Sequence, residues 1–184
     1  MLQLRRITQI EDSVLDRLIE LYKLSFPEEE RRDIPQLKQM ILELPEMYFN
    51  AIELDDVLCG LAVYWDFADF YYLEHLAVFP EMRNHKIGKQ VLDYWKKNLQ
   101  KMRILEVEPA EDEMTCRRIA FYERTDLQIL TKDYVQPSYR KEEDSCSLWI
   151  MGSEENENLD SFIQIIKTRA YREPLKYLKG LTDK

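Results

Sequence analysis

Residues 57–67, "VLCGLAVYWDF", constrain the fold more than any other stretch. Their core is apolar without alternation. A strand of that kind belongs inside a sheet, with both faces covered. Its neighbours in sequence can flank it. Residues 47–54 read as a strand that reaches the Asp55-Asp56 turn, and residues 70–78, "FYYLEHLAV", as one that leaves a turn at Asp69. Short turns between successive strands predict an antiparallel meander. Residues 86–99 then place Ile87, Val91, Leu92 and Trp95 at helical spacing. Residues 103–107, "RILEV", read as the next strand. Strand, helix and strand in that order predict a parallel crossover.

Residues 2–8 alternate like a first strand. Asp12 or Ser13 is placed to cap a helix carrying Leu15, Leu18, Ile19 and Tyr22, which ends near Phe26-Pro27. "FPEEERRD" reads as a charged loop, and residues 34–44 as a second helix with Pro35 in its first turn. Residues 115–124 read as a helix, and residues 127–135 and 145–151 as closing strands. The expected architecture is α/β, with a mixed, mostly antiparallel sheet flanked by helices. It spans residues 1–152. Residues 153–184 read as an acidic link and a helical tail from Ser161, broken at Pro174. Phe162, Ile165 and Ile166 call for burial of that tail, on its own body or at a homodimer contact.

Charge and composition narrow the function. The chain has 184 residues, enough for one cored domain, and a formal charge of -9. A nucleic-acid partner is not expected of an acidic chain. Cys59, Cys116 and Cys146 are far apart, and His75 and His85 are the only histidines. No disulfide framework, zinc site or other metal centre is expected. The N-terminal residues lack the apolar run of a signal peptide, and no run reaches membrane-spanning length. Cytoplasmic residence and no membrane partner are the expectation. Cys116 reads as a buried thiol without a histidine partner.

"VFPEMRNHKIGKQVL", residues 78–92, carries the first chemical signal. A strand ends, a proline follows, a basic loop leads into a helix, and Gly88 sits in the first turn. Free amides at a helix N-terminus bind phosphate oxygens, and glycine lets a ligand approach the backbone. Arg83, His85, Lys86 and Lys89 add positive potential.

Here the residues resemble a known family. "LAVFPEMRNHKIGKQVL" is similar to the acetyl-CoA loop of the GNAT N-acetyltransferases, whose pattern is Arg/Gln-x-x-Gly-x-Gly/Ala. Arg83 fills its first position and Gly88 its last, while Lys86 stands at the middle glycine. "RRIAFYERTDL" resembles the family's second motif through Phe121, Tyr122 and Glu123, with Asp126 at a usual glycine. Thr115 stands where the family often has asparagine.

The resemblance implies a sheet splayed between strands four and five, with acetyl-CoA as cosubstrate in the gap. It implies that the backbone of Leu76, Ala77 and Val78 pairs with the pantetheine arm. The amides of Arg83, Asn84, His85, Lys86, Ile87, Gly88 and Lys89 would hold the pyrophosphate. A small-molecule or peptide amine would attack the thioester directly. Two proton transfers then need groups. Glu74 is the candidate base or water relay, on a face that alternation shares with Tyr72, Leu76 and Val78 and not with His75. Burial would raise its pKa. An ammonium anchor and a salt-bridged structural glutamate are the alternatives. Tyr122 is the candidate acid for the leaving thiolate. An acyl-CoA-binding protein with little turnover is the competing function, and an interaction protein that dimerises through its tail is another.

Overall fold

The computed structural model describes residues 1–140 and 145–179. Seven strands form one sheet: β1 Leu2–Arg6, β2 Met47–Leu54, β3 Val57–Asp66, β4 Phe70–Val78, β5 Met102–Val107, β6 Gln128–Gln136 and β7 Cys146–Gly152. Their order is β1-β2-β3-β4-β5-β7-β6. β2 to β4 form the expected antiparallel meander, β1 pairs antiparallel with β2, and β4 and β5 are the parallel pair. The β2–β3 turn holds Asp55 and Asp56 at φ 48° and 66°. That is the left-handed backbone a two-residue hairpin turn requires, and aspartate tolerates it better than most residues.

Helices α1 Leu15–Ser25 and α2 Ile34–Glu43 cover one face of the sheet; α3 Ile87–Asn98 and α4 Glu113–Glu123 cover the other. On the first face Leu15, Leu18, Tyr22 and Leu37 pack on Trp65, Phe70 and Tyr72. On the second, Val91, Leu92, Trp95 and Ile119 pack on Leu73 and Leu105. The tail joins the first face. α5 Leu159–Ile165 leads into a π-helical turn, Ile166–Arg172, and α6 Lys176–Lys179 follows a short turn containing Pro174. Phe162, Ile163, Ile166, Ala170 and Tyr171 belong to the same core as α1. Phe162 stacks on Phe70 with ring centroids 4.5 Å apart. Ile165 faces outward, at the edge of exposure.

Two local expectations are corrected. Neither Asp12 nor Ser13 caps α1; Val14 stands there, with no side-chain cap. Asp12 instead accepts the Val14 N–H at 3.1 Å and pairs with Arg5. Cys116 is exposed rather than buried, because α4 turns that side to solvent. α4 starts on a capping box: the Asp112 carboxylate accepts the Thr115 N–H at 2.8 Å, and the Thr115 hydroxyl accepts the Asp112 N–H at 3.1 Å.

Candidate active site

The parallel pair opens partway along. Phe70–Leu73 pair with Met102–Leu105, but farther on β5 is joined to β7 and no longer to β4. Leu76, Ala77 and Val78 pair with β3 alone, so one edge of their backbone faces a gap. A Cβ at Gly60 would lie 2.1 Å from the Ala77 carbonyl oxygen. Glycine there is what lets β3 hold this stretch of β4 so closely. The gap is a cleft of about 480 Å³ whose walls include Leu76–Val78, Glu74, His75, Glu106, Tyr122 and Tyr139.

Beyond Val78 the chain makes a short 3₁₀ turn, Pro80–Met82, and enters α3 through Arg83–Lys86. Asn84 and Lys86 take left-handed backbone, φ 67° and 58°. Each such residue costs about 1–2 kcal/mol. Lys86 is the N-cap of α3 and gives it no side-chain cap, so the first amides of the helix keep their hydrogens free of intrahelical partners. A second hollow, about 790 Å³, lies over them, bounded by Arg83, Asn84, Lys86, Gly88 and Lys89 and by Phe121 of α4. Ile87 also lines it while burying its side chain in the core. His85 lies outside that lining, exposed, with Nδ1 2.9 Å from the Arg83 carbonyl. A Cβ at Gly88 would meet only the Phe121 ring, at an ordinary 3.5 Å. The protein's own packing therefore does not require glycine at 88.

Glu74 departs from the sequence expectation in two ways. In the β3–β4 register Val63 faces His75 and Tyr64 faces Leu73, so Glu74 is the extra residue of a β-bulge. The bulge resets the alternation. Tyr72 and Ala77 fall on the tail side of the sheet, and Leu73, Leu76 and Val78 on the α3 side. Glu74 thus does not share a face with Leu76 and Val78. His75 lies on the same side as Glu74, packing edge-on against Tyr22 and Phe26 and placing Nε2 3.1 Å from the Glu30 carbonyl. The Glu74 side chain is fully buried and ion-paired with Arg32, itself 1% exposed. Trp65 Nε1 donates to it at 3.0 Å and the Tyr139 hydroxyl at 3.1 Å. Burial alone would push the carboxyl up, as expected. The charge of Arg32 and the contacts with His75 outweigh it and hold the group at about 2.

A second buried carboxylate stands across the cleft. Glu106 of β5 accepts hydrogen bonds from the hydroxyls of Tyr72 at 2.9 Å and Tyr171 at 2.6 Å, from Gln136 Nε2 at 2.5 Å, and from Tyr134. No cation pairs with it among the described residues. Burial pushes its pKa up, against the pull of those four donors. Burial raises the Glu30 carboxyl on the cleft wall as well, and Glu106 is the one of the two buried inside a ring of donors. Sequence reading passed over it, although a lone acid in "RILEV" is the same signal that singled out Glu74 in "FYYLEHLAV".

Comparison with known proteins agrees with this geometry. The model of the acetyltransferase (GNAT) family matches residues 15–126. The chain belongs to the GNAT acetyltransferase family. A GNAT-family protein of Bacteroides thetaiotaomicron is 32% identical, superposes with a TM-score of 0.87, and is matched over 92% of this chain and 98% of its own. Two more distant structures share the fold. The ribosomal-protein-S18-alanine N-acetyltransferase of Escherichia coli is 16% identical, with a TM-score of 0.55 over 86% of this chain and 98% of its own. An aminoglycoside 6'-N-acetyltransferase solved with coenzyme A is 19% identical, with a TM-score of 0.56 over 83% and 95%. Comparison with curated protein sequences gave no match.

Within this GNAT chain the second motif also reaches the cleft. Tyr122 of α4 lines it, and among the described residues its hydroxyl bonds to no protein group. Burial raises its pKa, with Arg118 pulling the other way, so the phenol keeps its proton at neutral pH. Asp126, at the family's usual glycine, takes left-handed backbone, φ 62°, which aspartate tolerates better than most residues. The aromatics near the β3–β4 turn are packing residues. Trp65, Phe67, Phe70 and Tyr72 sit in the core under α1 and the tail, and Tyr64 and Tyr71 sit on the α3 side. Of the run Glu28–Glu30, Glu28 pairs with Arg140, and Glu30 lines the cleft. The residue that mattered in that loop was Arg32, for which a charge run gives no sign.

Proposed function

We propose that this GNAT protein is an acetyl-CoA-dependent N-acetyltransferase acting on a primary amine, of a small molecule or a peptide. The observation that carries the reading is the continuity of two features. The free backbone edge at Leu76–Val78 runs directly into the open amides of Lys86–Lys89. An extended arm ending in a pyrophosphate needs that sequence of partners: backbone pairing first, then a helix N-terminus. The neighbour that carries coenzyme A in its title supports the choice of cosubstrate. No metal is needed for this reaction.

In the proposed reaction the acceptor enters as an ammonium and loses a proton to Glu106. The free amine attacks the thioester carbonyl, the N–C bond forms, and the C–S bond breaks. Tyr122 gives its proton to the leaving thiolate, and the acylated nitrogen gives up its second proton to the Tyr122 phenolate, which leaves a neutral amide and a restored phenol. Glu74 takes the salt-bridged structural alternative in this scheme: at about 2 its carboxyl is too weak a base for neutral pH, and it holds Arg32 in place. Glu30 and Glu106 on the cleft wall favour a cationic acceptor over an anionic one, while Glu108 is paired with Arg118.

Two results test the reading. Calorimetric titration of acetyl-CoA and of CoA is expected to give binding that Gly88→Asp weakens at least about tenfold. Because a Cβ at 88 meets only the Phe121 ring at 3.5 Å, the variant keeps the fold, and the loss reports on the ligand. No binding by the wild type at millimolar ligand would end the enzyme reading. In a panel of amines, Tyr122→Phe is expected to lower kcat by about 10²-fold with acetyl-CoA affinity unchanged. Tight binding with no turnover across the panel would mean a CoA-binding protein instead.

A further inference from the structure

We propose that the C-terminal segment is part of the catalytic apparatus, and that Tyr171 is a positioning residue that sets the proton affinity of Glu106. The inference rests on the reading of Glu106 as the proton acceptor. Tyr171, Gln136 and Tyr139 all lie beyond residue 126, outside the stretch that carries the family match.

The argument is a count of hydrogens. A phenol has one hydrogen to give and lone pairs to receive with. The Tyr171 hydroxyl lies 2.6 Å from Glu106 Oε2, 2.7 Å from the Tyr72 hydroxyl and 2.8 Å from Gln136 Nε2. Gln136 Nε2 can only donate, so the Tyr171 oxygen accepts there. Tyr72 has Glu106 at 2.9 Å and Tyr171 at 2.7 Å as its acceptors. Tyr72 gives its one hydrogen to only one of these two, and of the three contacts among Tyr72, Tyr171 and Glu106 the shortest, 2.6 Å to the charged carboxylate, takes the Tyr171 hydrogen. Its 2.6 Å is the length of an O–H···O⁻ bond, the strong kind, and the donation it receives from Gln136 polarises it further.

The same turn of chain serves the other carboxylate. The carbonyl of Ala170 accepts Arg32 Nη2 at 2.6 Å, on the guanidinium that holds Glu74. Tyr139 lies between the two sites, its hydroxyl 3.4 Å from that of Tyr171 and 3.1 Å from Glu74 Oε1. Ala170 and Tyr171 are buried at 0% and 1% exposure, so neither contact is a surface accident. Both belong to the π-helical turn Ile166–Arg172, a rare geometry frequent at functional sites. The groups facing Glu106 come from every side of the cleft: Tyr72 and Glu74 from β4, Tyr134 and Gln136 from β6, Tyr139 after it, Cys146 from β7, and Tyr171 from the tail. Of these, Tyr171 is the donor that the tail adds.

The test is a titration of Glu106 in the full chain by carbon-13 NMR of labelled glutamate, its signal assigned with Glu106→Gln. Loss of one charge-assisted hydrogen bond should raise the proton affinity about tenfold or more. Tyr171→Phe is therefore expected to move the Glu106 titration up by about one pH unit or more. Site-specific 3-fluorotyrosine at 171, a more acidic phenol with the same packing, is expected to move it down, and it decides alone if Tyr171→Phe does not fold. A Glu106 titration that stays put in the folded variants overturns the proposal. If Glu106→Gln keeps its turnover on an active amine, the proton-acceptor reading falls, while the titration still decides what Tyr171 does.

Discussion

Glu106→Gln is expected to lower kcat by about 10²–10⁴-fold on any amine the wild type acetylates, with acetyl-CoA binding intact. The substitution keeps the size of the side chain and removes the site that can take a proton. With its oxygen at the Oε2 position, glutamine keeps Tyr72, Tyr171 and Gln136 as donors, and the Tyr134 hydroxyl turns to accept from the new NH2, so the strand and the cleft keep their form. The pH dependence gives a second reading of the same residue. A base works only when deprotonated, so kcat/KM falls as pH falls through the pKa of Glu106. Burial raises that pKa above the ordinary 4.5, so the acid limb is expected above that value in the wild type. Glu106→Gln should show low activity with this limb absent. A variant that turns over at the wild-type rate would remove Glu106 from the mechanism.

Arg32→Met is expected to destabilise the protein by about 3–5 kcal/mol, because it leaves a buried carboxylate without its cation. Against a total of about 5–15 kcal/mol for a domain, that is a large share. The sign of the pH dependence identifies the cause. In the wild type the folded-state pKa of Glu74, about 2, lies below its ordinary 4.5. The stabilisation is then fully present above 4.5 and is lost as pH falls from there to about 2. Its size is about 3 kcal/mol. Without Arg32, burial is the largest influence left on Glu74 and pushes its pKa above the unfolded value. The variant should gain more stability than the wild type on acidification toward 4.5, because Glu74 then joins Glu106 as a carboxyl whose pKa burial raises. Urea unfolding at a series of pH values measures both slopes. Equal slopes would mean that the pair contributes nothing net.

The meander and the crossover were legible because their signals are local. An apolar run without alternation, two tight turns and a helical period each need only a few neighbouring residues. The loop before Gly88 was legible for the same reason. What could not be read was set by a single extra residue. The bulge at Glu74 shifts the face of every later residue in β4 by one. Strict alternation therefore separated Glu74 from His75 and joined it to Leu76. Burial was foreseen for Glu74, but not the cation beside it, since Arg32 comes from a loop 42 positions away in sequence. Desolvation alone gives the wrong direction for that carboxyl and the right one for Glu106, where no cation intervenes. The tail's role was hidden likewise, because its apolar spacing asks for a surface without naming one.

The bond between Arg32 and the carbonyl of Ala170 spans 138 positions. It also has a bearing on how the molecule is made. A ribosome delivers the guanidinium 138 positions before the carbonyl that completes its shell. Until that carbonyl arrives, a nascent chain lacks one of the partners that bury Arg32 beside Glu74. Contacts so far apart along the chain close late and slowly. The order of synthesis thus leaves the Arg32–Glu74 pair incomplete until the turn carrying Ala170 has docked.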